Sequence, residues 1–130
     1  MSISNQKTLT LIATSFKIAK QLKSHRVEIS HVATALRNTV GHSYSQIIEV
    51  TLRSLDQPLD TKQKEKIQKL CRVVKQEIGI DSISFSINSM HLLVASRLFF
   101  KNKIYEMSEI TTTAQEEMRR GFLTALSSVN

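Results

Sequence analysis

The chain of 130 residues has one cysteine, one proline, three glycines, two tyrosines and no tryptophan, and each shortage closes off a class of protein. Cys71 is alone and cannot form an internal disulfide, so a disulfide scaffold is excluded and a reducing, cytoplasmic setting is expected. Three glycines leave little material for a phosphate-cradling loop, which argues against nucleotide enzymes. No stretch reaches the ~18 apolar residues of a membrane span. The start, MSISNQKTLT, lacks the basic-then-apolar layout of a signal peptide, so no membrane association is expected. The four histidines, at 25, 31, 42 and 91, show neither His-x-x-x-His nor Cys-x-x-Cys spacing, so neither a metal nor another cofactor is expected. Glu116 and Glu117 are paired carboxylates only on paper, because helical neighbours point about 100° apart. They are read as complementing a helix amino-terminal dipole, and the expectation is a protein without catalytic activity.

What remains is helical periodicity. The length suits one domain that buries its own core. Leu9, Ile12, Phe16, Ala19 and Leu22 form one stripe of a first helix over 5–24, with Lys17, Lys20 and Gln21 outside it. A second helix over 30–40 turns Val32, Ala33, Leu36 and Val40 inward and is broken by Gly41 and His42. Ser43 is placed as the cap of a third helix with Tyr44, Ile47, Ile48, Leu52 and Leu55 on one face. After a linker around Pro58, Asp60 or Thr61 caps a fourth helix with Ile67, Leu70, Cys71, Val74 and Ile78 inward, and Gly79 ends it. The run from Ile83 to Ile87 has the alternation of a strand but no evident partner, so it is read as an extended connector. Ser89 is placed as the cap of a fifth helix carrying Met90, Leu93, Ser96, Leu98 and Phe100. A short piece at 104–107 precedes a last helix, where Thr113 and Glu116 have capping-box spacing and Ala114, Met118, Phe122 and Ala125 face inward. The expected fold is all-α: a single domain of six to seven helices over residues 1–130.

The halves also resemble each other. Phe16 to Gln21 aligns with Cys71 to Gln76, and the same offset pairs Ile12 with Ile67 and Lys7 with Lys62. Further on, Val27 pairs with Ile87, His31 with His91, Ala35 with Ala95, Arg37 with Arg97 and Glu49 with Glu109. This ordered agreement predicts two related helical repeats, about 5–57 and 60–128, burying their faces against each other. The segment Ile87-Asn88-Ser89-Met90-His91-Leu92-Leu93-Val94-Ala95 resembles the repeat of the amino-terminal domain of Clp-type AAA+ unfoldases. In that family an apolar residue stands four before a His-Leu-Leu-x-Ala helix start. Val27 to Leu36 looks like a second copy, and Gln57 to Thr61 falls where the family opens its second repeat. The glycine and acidic residue that usually precede that histidine are absent here. The resemblance implies a protein-docking module that recruits adaptors or substrates.

Charge distribution is the most informative feature. The formal net charge is +7. Residues 1–27 hold Lys7, Lys17, Lys20, Lys23 and Arg26 with no acid, and residues 61–76 hold Lys62, Lys64, Lys66, Lys69, Arg72 and Lys75 against Glu65 alone. Each stretch is therefore +5, and the rest of the chain is close to balanced. The excess falls on the first helix of each repeat, with Lys17 and Lys20 aligned to Arg72 and Lys75. If those helices pack side by side, they make one basic surface, suited to an acidic protein partner, with Lys17, Lys20, Lys23, Lys69, Arg72 and Lys75 as candidate contacts. Nucleic acid is the alternative ligand, held by its phosphates without base reading. Fitting a helix-turn-helix to Val32 through Arg53 puts Arg37 where a small residue is wanted, and two tyrosines supply no stacking platform. A third reading is a self-associating structural subunit, with Phe99 and Phe100 as its adhesive positions. His31 and His91, placed at helix starts, are read as packed or capping histidines ahead of a pH-sensing or ligand role. Cys71 is read as a buried, inert thiol.

Overall fold

A computed structural model of the chain describes residues 3–55, 59–79, 83–101 and 120–124. Five long helices account for most of them: α1 (Ile3–Gln21), α2 (Ile29–Val40), α3 (His42–Arg53), α4 (Thr61–Ile78) and α5 (Ile87–Lys101). Residues 120–124 are helical as well. Two strands of two residues each, β1 (Arg26–Val27) and β2 (Ser84–Phe85), are the only extended elements among the described residues. The protein is an all-α single domain, as the periodicity predicts.

Local chemistry explains most boundaries. The α1 helix closes with the Ser24 N–H donating to the Ala19 carbonyl (2.9 Å) and the Lys23 N–H to the Lys20 carbonyl (3.0 Å). That is a Schellman motif, and its left-handed position is filled by Lys23 (φ 54°) instead of glycine. Gly41 (φ 87°, ψ 168°) ends α2 and starts α3 by itself, its N–H donating to the Arg37 carbonyl and its carbonyl accepting from the Ser45 N–H. This backbone region is open essentially to glycine alone. Ser43 therefore lies inside the first turn of α3 and is not its cap. Asp60 caps α4 by accepting from the Lys62 N–H (3.1 Å), and Gly79 (φ 69°) ends it in the left-handed region, both as expected. At α5 the cap is Ser86, three residues before the expected Ser89: the Ser86 hydroxyl accepts from the Ser89 N–H at 3.2 Å.

The connector has a partner after all. β2 runs parallel to β1, with Arg26 opposite Ser84 and Val27 opposite Phe85, and the Ser86 N–H extends the pairing to the Val27 carbonyl. A two-residue strand at Arg26–Val27 carries too few residues for alternation to register, which is why the pairing was not legible. The register does not match the expected pairing of Val27 with Ile87. Val27 lies opposite Phe85, the caps Glu28 and Ser86 each follow their strand, and the residue three past the cap is His31 in α2 and Ser89 in α5. His91 lies two residues deeper, as the fifth residue of α5.

α1 is packed against α2, α5 and α4, and α5 also meets α2, α3 and α4. The consecutive residues Leu92 to Ser96 of α5 are all buried. Five in a row exceed one turn, so the middle of α5 is enclosed on every side and α5 is the central helix. Its mid-helix core hydroxyl, Ser96, donates to the Leu92 carbonyl at 2.7 Å, and Ser15 of α1 does the same to Leu11. These two buried hydroxyls are satisfied within their own helices. Aromatic contacts fill the rest. Phe16 meets Phe85 edge-on at 4.8 Å, while Phe99 meets Tyr44 at 5.9 Å and Phe122 at 5.2 Å. Leu22, expected on the α1 stripe, is 67% exposed because the helix has already ended there. The expected element at 104–107 and the capping pair Thr113 and Glu116 lie outside the described residues. Phe122 is fully buried, as expected.

Candidate partner-binding surface

The α4 helix buries only Ile67, Cys71 and Val74, one narrow stripe at i, i+4 and i+7. All its other residues face outward or sit at the margins, so its cations are displayed by default. Lys69 and Arg72 are exposed and Lys75 is half-buried. On α1, Lys17 and Lys20 are exposed, and Lys23 is exposed just past the helix end. α1 and α4 are in direct contact, so the two lysine-rich helices are neighbours. Among the described residues the one ion pair is Arg26 with Glu28, and none of the six candidate cations has a carboxylate within pairing distance. Lys20 and Lys75 each occupy the last turn of their helix, where the carboxyl-end dipole favours a cation, so local electrostatics accounts for part of the pattern.

Beside Arg72 and Lys75 lies a pocket of about 240 Å³ between α4, β2 and the start of α5. Phe85, Met90 and Cys71 give it an apolar lining, and Gln68, Arg72 and Lys75 rim the α4 side. The pocket escaped sequence reasoning because Phe85 was read as part of an unpaired connector. It is the β1 pairing that presents Phe85 to α4. Burial pushes the Cys71 thiol up to about 12, overriding the opposite pull of Lys75 and Arg72. The thiol is therefore protonated at neutral pH and is not a nucleophile.

The two histidines have different roles. His31 is buried and belongs to a capping box: its Nδ1 accepts from the Glu28 N–H at 3.0 Å, while the Glu28 side chain accepts from the His31 N–H. His91 lines a second pocket, of about 370 Å³, with Ile29, Leu52, Leu55, Leu59 and Arg53. Its Nε2 is buried without a partner among the described residues, and burial, helped by Lys64, holds its pKa below the ordinary histidine value. The expectation that both stand in the first turn holds for His31 and not for His91. Further cations escaped the sequence reading. Lys101, on the α5 flank, has its pKa lowered by burial and then by Arg97 and Lys66, a like-charge cluster built from two helices. Arg97 donates to the Gln63 side-chain Oε1 at 3.4 Å, and its Nε is buried without a partner among the described residues.

Phe99 and Phe100, the expected self-association positions, are 0% and 1% exposed. They belong to the core, so the structural-subunit reading loses the residues offered for it. No group of three or more histidine, cysteine or acidic side chains is placed to hold a metal among the described residues. No described helix is long and apolar enough to cross a membrane. No protein-family model, no curated protein and no solved structure matches the chain.

Proposed function

We propose that the protein is a non-enzymatic docking module of the cytoplasm, built from two related helical units like the amino-terminal domain of Clp-type unfoldases. It recruits an acidic protein partner through the outward faces of α1 and α4. One observation carries the reading: two adjacent helices display Lys17, Lys20, Lys69, Arg72 and Lys75, with Lys23 just past the end of α1, and none has a carboxylate within pairing distance among the described residues. Uncompensated charge of one sign raises the encounter rate with a partner of the other sign and orients it, while apolar contact supplies most of the affinity.

The test titrates a fluorescein-labelled glutamate-rich peptide and a random-sequence DNA duplex, each from ~50 to ~200 mM salt. The wild type is compared with the variant carrying Lys17→Glu, Lys20→Glu, Arg72→Glu and Lys75→Glu. The expected result is peptide binding that the variant loses by tenfold or more, with circular dichroism showing the fold intact. Duplex binding that falls steeply with salt and is lost in the variant, with no peptide binding, would replace this reading with phosphate-backbone recognition.

A further inference from the structure

We infer that the pocket between α4, β2 and α5 is the anchoring subsite of this surface, and that it takes one aliphatic or aromatic side chain of an acidic peptide segment. The inference rests on the docking reading and names its specificity. Three observations support it. First, much of the lining is apolar: Cys71 is buried, and Phe85 and Met90 are partly buried and line the pocket. Second, the pocket is small, about 240 Å³. That is room for a single side chain and too little for the clefts of roughly 300 Å³ and above that enclose whole small molecules. Third, its α4 rim carries Arg72 and Lys75, one turn apart, and no acidic residue is found among the described lining residues. An apolar side chain entering here brings its own backbone and its neighbours past two cations that have no carboxylate within pairing distance among the described residues.

The floor is also rigid. Phe85 is fixed from behind by the edge-on contact with Phe16 and from the side by the pairing of β2 with β1. A preformed pocket of this kind costs a partner little reorganisation on binding. Chemistry thus divides the work: the floor selects for an apolar residue and the rim for flanking carboxylates. A phosphate backbone satisfies the rim alone and leaves the floor empty.

Three labelled peptides of equal length separate the parts: an acidic one with a single central leucine, the same peptide with serine in that place, and a leucine peptide with glutamine replacing every acid. Each is titrated by fluorescence anisotropy against the wild type, Gln68→Trp and Arg72→Glu. Gln68 is exposed on the rim, so a tryptophan there covers the pocket without altering charge or core. The acidic leucine peptide is expected to bind best. The serine peptide and the Gln68→Trp protein should each weaken binding about tenfold, the worth of burying one leucine. Arg72→Glu should weaken both acidic peptides alike. Equal binding of leucine and serine peptides, with Gln68→Trp silent and Arg72→Glu damaging, overturns the subsite and leaves the basic docking surface standing. Binding of the glutamine-substituted leucine peptide as tightly as the acidic one overturns the acidic-partner reading and leaves an apolar pocket. Absence of binding by all three peptides overturns both.

Discussion

At the scale of single residues, several side chains sit where another type would be easier to hold. Lys23 occupies the left-handed position of the α1 terminus. For an L-residue that conformation costs roughly 1 kcal/mol, which glycine avoids. Lys23→Gly should therefore raise the unfolding free energy by up to about 1 kcal/mol in urea titration, a little of it offset by the looser unfolded chain. His91 gives a pH dependence. Its folded pKa is lowered, chiefly by burial and then by Lys64, so the neutral ring is favoured in the native state. The unfolded chain then binds the proton first. Its stabilising contribution is complete above the unfolded value near 6.5 and is lost as pH falls from there through the lowered folded value. Melting temperature should decline between about pH 7 and pH 5, and His91→Gln should flatten that decline. An unchanged slope in the variant would assign the effect to another group.

At the scale of elements, Gly41 joins two helices through one residue. Nothing crowds the place where a Cβ would stand, so a substitution there tests backbone conformation alone. Gly41→Ala should cost about 1–3 kcal/mol, measured by chemical denaturation, without opening a cavity or exposing the core. Elements also show what was legible in the sequence. The stripes of α3 and α4 and the caps at Asp60 and Gly79 could be read because each is a local rule acting within a few residues. Ser43 is not the cap because Gly41 serves as the end of α2 and the start of α3 at once, and Ser89 is not because Ser86 competes with it, a choice that only the backbone path makes. The burial of the middle of α5 on every side was not legible, since an all-round apolar helix and a striped one share the same inward positions. What distinguishes them is how many neighbours pack around the helix, which is a tertiary property. The pocket at Phe85 was hidden for a related reason: its floor is assembled from α4, β2 and α5, and the strand that orients Phe85 is paired across the chain. Lys69, Arg72 and the α1 lysines, by contrast, were readable, because a helix with one narrow apolar stripe must send everything else outward.

At the scale of the molecule, the charge pattern and the fold are nearly independent. Lys17 and Arg72 are exposed and unpaired among the described residues, so reversing them should change stability by no more than about 0.5 kcal/mol. Lys20 and Lys75 lie in last helical turns, and reversing each should cost about 0.3–1 kcal/mol through the helix dipole. Thermal melts of the two double variants check this: the first should melt with the wild type and the second a few degrees lower. A variant that stays folded while binding is lost separates recognition from architecture.

The pairing of β1 with β2 has a consequence for how the chain reaches this state. Arg26 and Ser84 come from opposite halves, and their hydrogen bonds form only after a loop containing α2, α3 and α4 has closed. Closing so long a loop is an entropic cost that nearby helical contacts do not share, and it raises the contact order above that of a simple up-and-down bundle. The strands immediately precede α2 and α5, so the same late step sets where both helices begin. The two halves should acquire their native order together, in one cooperative transition, and neither should be a competent folding unit when expressed alone.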